Sequence, residues 1–486
     1  MKKVILCAAA LLFGSFAFAQ VGGAPEANTP VTNMSADADA NVGQSVQNGN
    51  AHKIRVRQAG SRQTVYTEQD NGSTATGGNL GIVLQTGAVS TASGVENAAE
   101  LRQSGSVNES LTIQQGDLNN AITLQGQNDP ASTGNKAKIQ QGNNDQAESN
   151  YAAIEQDGTT NQAQTLQRWD NNDAWTRQTG TDNKSMIDQA AEPEDSEGHE
   201  AINLQLGDRN ESSIAQRGAG ARNLAKAEQV GDDNQAKQDQ TATHSGAGMG
   251  NRAVVRQGFP VSLVLDSDII NTIDALNDIE GFDPTYVSGI TTSSIESIGA
   301  KAKQIQNGKQ QEAEIVQYGG SVGFSNYAEQ NQLSGWGNDA SIIQGHFDLG
   351  EASNYARQDQ AGDNNRAGIL QEGSGNKALQ TQFGHRNDAL NSQLGEGNLS
   401  NTHQRGNDNV AYAAQTGDAN RALIVQRQGQ SYLSNQVGTG NQVDIYQGHP
   451  NDDFSNMIDC DFDDPMNLDM DYTVPGLDIP NICPDC

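Results

Sequence analysis

Large apolar and aromatic side chains are scarce in this sequence of 486 residues. Phe, Trp and Tyr together make up 5%, and all hydrophobic types 34%, many of them alanine. An oily core of the usual kind cannot be built from so little. Basic residues are also scarce: 29 Lys and Arg stand against 60 Asp and Glu, for a formal charge of -31. That balance argues against nucleic acid as a partner, which demands clustered Lys and Arg. The single long apolar run, Val4 to Phe18, is too short to cross a bilayer, so no membrane span is expected in the mature chain.

That run reads instead as a secretory signal over residues 1–19. Lys2 and Lys3 supply its positive start, and Ala17-Phe18-Ala19 is a small-x-small site, with cleavage expected after Ala19. Cys7 lies inside the run rather than at the cleavage point, which disfavours a lipid anchor. The mature chain then keeps Cys460, Cys483 and Cys486. A redox role for Cys483-x-x-Cys486 would need a thioredoxin-like context, which is absent, and two cysteines are too few for a usual structural zinc site. A disulfide is the plainer reading in an exported chain, with the pairing among the three left open.

What the sequence has in abundance is a period of eleven residues. Asn365, Asn376, Asn387, Asn398, Asn409 and Asn420 are each followed six residues later by Gln371, Gln382, Gln393, Gln404, Gln415 and Gln426. Gly373, Gly384, Gly395, Gly406 and Gly417 come two residues after the first five glutamines. Asn150, Gln156 and Gly158, Asn161 and Gln167, and Asn172, Gln178 and Gly180 repeat the spacing earlier in the chain. A fixed period marks a repeat architecture.

With the asparagine as position zero, a small residue sits at two, a small, β-branched or amide residue at four, glutamine at six and often glycine at eight. These even positions share one face of an extended strand. A helix would need recurrence at three and four residues, which is missing. Each unit therefore reads as a strand of about seven residues and a tight turn of about four, with glycine supplying positive φ in the turn. Two units make a strand-turn-strand coil of about 22 residues. The expected fold is all-β, a β-solenoid of stacked coils, with roughly thirty half-units in all. Stacking places identical amides about 4.8 Å apart, so each can donate to one copy and accept from the other. An unpaired buried amide costs about 1–3 kcal/mol, and a ladder removes that cost at many positions together. The prolines fit, because none falls within an expected strand.

The organisation that follows is a polar leader over 20–40, repeats over 41–257, an insertion over 258–299, repeats over 300–448 and a tail over 449–486. The insertion combines apolar residues with Asp266, Asp268, Asp274 and Asp278, but it lacks the glycine of an EF-hand loop, so a solvated acidic segment is favoured over a metal site. The tail is acidic and carries the three cysteines; capping, solubilising and tethering all remain open for it. The histidines form no ligand spacing or Ser-His-Asp pattern. No catalytic, cofactor or metal residues are assigned, and an enzyme is not expected.

The repeat resembles that of the curlin family, the subunits of bacterial curli, which runs approximately Ser-x5-Gln-x-Gly-x2-Asn-x-Ala-x3-Gln. Gln371-Glu-Gly373-Ser-Gly-Asn376-Lys-Ala378-x3-Gln382 matches its core, as do the segments from Gln156 to Gln167 and from Gln404 to Gln415. The resemblance implies a secreted, extracellular amyloid-like fibre subunit that polymerises with itself end to end, leaves through a curli-type outer-membrane pore, meets a nucleator, and serves biofilm matrix and cell adhesion. The many repeats, the insertion and the tail depart from the family's shorter subunits, and the family's leading serine is mostly absent. They leave open whether the chain is a major subunit, a nucleator or a matrix protein. The alternative is a monomeric secreted β-solenoid adhesin or ligand-binding protein. Such a binder should show a regular outward array, whereas Trp169, Trp175 and Trp336 are scattered.

Overall fold

The structure, a computed structural model, describes residues 40–71, 77–86, 95–142, 147–191, 198–218, 222–242, 249–258, 296–320, 325–345 and 353–449. The expected signal, almost all of the expected leader, most of the insertion and nearly all of the tail, with Cys460, Cys483 and Cys486, lie outside the described residues. Strands and turns make up the described residues, with no helix among them. These residues belong to two compact units, divided between Asn251 and Arg252.

In the N-terminal unit, successive strands alternate between two parallel sheets. One sheet starts with Val42–Asn48 and takes every second strand up to Arg222–Val230; the other starts with Lys53–Ala59 and ends with Gln235–Ala242. The C-terminal unit repeats the plan. One of its sheets runs from the strand ending at Gln257 to Ser431–Val437, the other from Lys301–Gly308 to Gln442–Gln447. Each unit is thus a β-solenoid in which one coil contributes one strand to each sheet.

The strands form where period-two patterning puts small, aliphatic and amide residues on one face. In Gln162–Arg168 burial alternates strictly, with Ala163, Thr165 and Gln167 inward. Position two is mostly alanine, as at Ala152, Ala163, Ala174 and Ala378, all 0% exposed. At position four Ile139, Ile154, Ile187 and Ile424 fill the space between the sheets. The core is therefore a narrow strip, part alkyl and part amide.

The expected coil of about 22 residues holds only where both turns are short. It is found from Gln371 through Gln393 to Gln415, each step being 22 residues. Elsewhere a step takes 27 residues from Gln178 to Gln205, 31 from Gln125 to Gln156 and 34 from Gln69 to Gln103. The pairing register is unchanged across these steps: Gln103 pairs with Gln69 and with Gln125, and Gln178 with Gln156 and with Gln205. The extra residues lie in the turns. A one-residue slip would turn every inward amide to solvent, so register is strongly held. Lengthening a surface turn costs only about 0.6 kcal/mol per doubling.

Candidate functional site: amide ladders and open coil edges

Position-six glutamines of the inner coils donate to a backbone carbonyl of the facing sheet and to the glutamine of the next coil, and some donate to a third acceptor. Gln167 Nε2 donates to Tyr151 O at 2.7 Å, to Asn172 O at 2.9 Å and to Gln189 Oε1 at 3.0 Å. Gln156 likewise donates to Gln178 at 2.8 Å. In the C-terminal unit one ladder passes from Gln371 to Gln393 to Gln415, and the facing one from Gln382 to Gln404 to Gln426. The glutamine thus ties its own sheet, the facing sheet and the next coil together.

The asparagines form parallel ladders that run the other way. Asn172 donates from both its backbone N–H and Nδ2 to Asn150 Oδ1, each at 2.9 Å. Asn161 Oδ1 receives the same pair from Asn183. Asn387 donates to Asn365 and Asn409 to Asn387, while Asn398 donates to Asn376 and Asn420 to Asn398. Glutamine amides point their donors toward the C-terminal coil and asparagine amides toward the N-terminal coil, so the two sets of dipoles oppose one another. His199 occupies an asparagine place: its N–H donates to Asn172 Oδ1 and its Nδ1 accepts from Asn223 N.

A further ladder stands at position four. Gln304, Gln330, Gln358 and Gln380 are 0–1% exposed and joined by successive bonds of 2.9, 3.0 and 2.9 Å. Sequence reading allowed an amide at position four but placed the ladders at positions zero and six. The Gln-x-Gln spacing, as in Gln304-Ile305-Gln306, is the signal that marks this second ladder.

The turn glycines Gly158, Gly180, Gly373, Gly384, Gly395, Gly406 and Gly417 have φ from 95° to 124°. They are also stacked on one another: a Cβ on Gly395 would lie 2.3 Å from Gly417 O. The residue just before the asparagine is left-handed too: it is glycine at Gly134, Gly337, Gly375 and Gly397, and another residue type at many of the other repeats. Ser149, Thr160, Asn364, Arg386 and Asp408 all have φ between 54° and 59°. At Ser149, Thr160 and Arg386 this costs about 1–2 kcal/mol of backbone strain, and less at Asn364 and Asp408, whose short polar side chains tolerate it. The same stacking that imposes it supplies bonds, such as Arg386 N to Asp363 O at 3.0 Å and the Arg386–Asp408 ion pair at 2.7 Å.

Outside the strip, charge separates by sheet. In the N-terminal unit the strands of the sheet starting with Lys53–Ala59 hold nine Lys and Arg against four Asp and Glu. The facing sheet holds four against eight. The C-terminal unit repeats the bias, with seven against three and three against six. Asp173 and His403 are among the outward groups that titrate abnormally. Burial pushes Asp173 up to about 6, partly opposed by Arg222, which also pairs with Glu200. Burial pushes His403 down to about 4. Among the described residues no three His, Cys, Asp or Glu side chains are grouped to hold a metal ion.

The end coils are open. Val56 and Val83 hold the same inward place in adjacent strands, yet Val56 on the outermost coil is 37% exposed and Val83 is 0% exposed. Val42–Asn48, Lys53–Ala59, Ser431–Val437 and Gln442–Gln447 each pair on one side only. Among the described residues no strand pairs with their other side.

No curated protein matches this chain in a comparison of whole sequences. The family model of the curlin associated repeat matches residues 352–384, which cover the strand Tyr355–Ala361, the strand Arg366–Ser374 and the strand Lys377–Phe383. With the pairing register of that stretch carried through the coils of both units, the chain is a curlin-repeat protein.

Proposed function

We propose that this protein is a structural subunit of extracellular curli-like amyloid fibres, adding copies end to end for biofilm matrix and cell adhesion. The observation that carries the reading is the open coil edge: a parallel, in-register strand pair whose backbone and amide groups lack, among the described residues, the partners that inner coils have. Such an edge templates another strand. The inner strip supports it, because amide ladders gain from each coil added and need no closing cap. Passage through a curli-type outer-membrane pore and seeding by a nucleator belong to the same proposal.

The test is growth of the purified mature chain, residues 20–486, followed by imaging over time and fibre diffraction. Fibres with reflections near about 4.8 and 10 Å are expected. Persistent monomer at high concentration would overturn the reading, and monomer that binds a surface ligand is the outcome expected of an adhesin.

A further inference from the structure

We infer that the two terminal coils are built to fit each other, so that the C-terminal coil of one copy receives the N-terminal coil of the next, with Asp444 against Arg55 and Tyr446 against Arg57. This rests on the fibre reading and names the contact it uses. Within each unit the first strand of a coil stacks on the first strand of the next, and glutamine stacks on glutamine. Continuing that rule across two copies sets Gln436 over Gln47 and Gln447 over Gln58. Every other residue of the junction is then fixed.

The amides at the two ends are complementary. Inner glutamines give Nε2 to the next coil, as Gln415 does to Gln436 at 2.8 Å and Gln426 to Gln447 at 2.9 Å. Gln436 and Gln447 themselves donate only to Arg421 O and Ser431 O. Among the described residues the second Nε2 hydrogen of each has no acceptor. At the other end Gln47 and Gln58 donate inward, to Gln69 and Gln85, and their Oε1 atoms accept nothing among the described residues. Donor end meets acceptor end only when the C-terminal coil faces an N-terminal one.

Shape follows the same rule. Position two is alanine in the coils leading to the C-terminal end, at Ala389 and Ala411, but Tyr432 pairs with Ala411 in the last one. Opposite it across the junction falls Gly43, the smallest residue available at that position. On the facing strand Val443 and Ile445 fall against Ile54 and Val56, closing the apolar strip that the ends leave open.

Charge gives the junction its direction. Lys53, Arg55 and Arg57 are exposed, point outward from one strand, and have no ion pair among the described residues. Asp444 is exposed and bonded only to Gln442. Ion pairs between neighbouring coils already recur on this sheet, as Lys184–Glu211 at 2.9 Å and Lys303–Glu329 at 3.0 Å. A cation also lies over a tyrosine of the adjacent coil, Lys301 over Tyr327 at 5.6 Å, as Arg57 would over Tyr446. Two N-terminal coils brought together would oppose cation to cation, which costs association.

The test uses full mature chains at low salt. Asp444→Arg and Arg55→Asp are each expected to slow fibre elongation by about tenfold or more, because both place like charges at the junction. Mixing the two single variants should restore growth, with both chains in every fibre. A chain carrying both substitutions should also elongate within about threefold of the natural chain, the residual reflecting imperfect repacking. Circular dichroism confirms that each variant keeps its strands. Single variants that elongate normally, or pairs that give no rescue, would overturn this junction while natural-chain fibres left the fibre reading standing. Failure of the natural chain to form fibres would overturn both.

Discussion

A single buried glutamine holds three partners, and its removal is felt by all of them. Replacing Gln393 with leucine leaves Gln415 Oε1 without its donor, Lys377 O without its 2.9 Å bond, and one hydrogen of Gln371 unused. We expect a loss on the order of 3 kcal/mol, since each orphaned buried group costs about 1–3 kcal/mol. Gln447→Leu, on the open edge, should cost less than about 1 kcal/mol because water replaces the lost partner. Coil-resolved hydrogen exchange on freshly purified monomer separates the two. Titration at the residue scale has opposite signs in the two units. Asp173 has a folded pKa near 6, above its ordinary value, so the folded state binds the proton more tightly. Its contribution improves as pH falls through 6 toward 4. His403, at about 4, lies below its ordinary value, so its contribution is present above the usual imidazole range and is lost as pH falls toward 4. Asp173→Asn should flatten the first trend and His403→Gln the second, read as the thermal unfolding of each variant across that window.

At the scale of strand and turn, stacking decides which glycines matter. Gly395 and Gly397 lie in one turn, both with positive φ. A Cβ on Gly395 meets Gly417 O at 2.3 Å, whereas one on Gly397 meets nothing within 4 Å. Gly395→Ala should therefore open the adjoining coil, with faster hydrogen exchange in Asp388–Glu396 and Leu399–Arg405. Gly397→Ala should cost about 1 kcal/mol, the ordinary penalty for a left-handed residue. The strand faces were legible in the sequence because parity at Asn376, Ala378, Gln380 and Gln382 repeats in the backbone itself. The left-handed place before the asparagine was legible only where glycine fills it, as at Gly375 and Gly397, because a residue such as Arg386 carries no turn signal of its own. The neighbouring coil imposes that conformation. Coil length was only partly legible: spacing reveals 22 residues where turns are short, and gives no way to see that 27, 31 or 34 residues close the same ring.

For the assembled molecule, the charge bias of the two sheets has a consequence of its own. The strands of the two sheets of each unit carry opposite excess charge, so in fibres of the proposed kind a basic face can lie on an acidic one, against the repulsion of a formal charge of -31 per copy. Bundle width of such fibres is expected to change between about 0.01 M salt, where the Debye length is about 30 Å, and about 1 M, where it is about 3 Å, since both the face-to-face attraction and the net repulsion are screened. Electron microscopy of bundle width against salt checks this. Widths that do not respond would place lateral contact on something other than charge. Reading down the chain hides this bias, because strands of the two sheets alternate and their charges mix within every 22 residues.

The sequence by itself determined the strand period, the inward amides and the stacked architecture, since these follow from residue type at fixed spacing and from the cost of burying an unpaired amide. Only the tertiary structure decided the direction of each ladder, the segregation of charge between sheets and the identity of the open edges. Those depend on which copy lies above and which below, and a repeated sequence is the same in both directions until its coils are stacked.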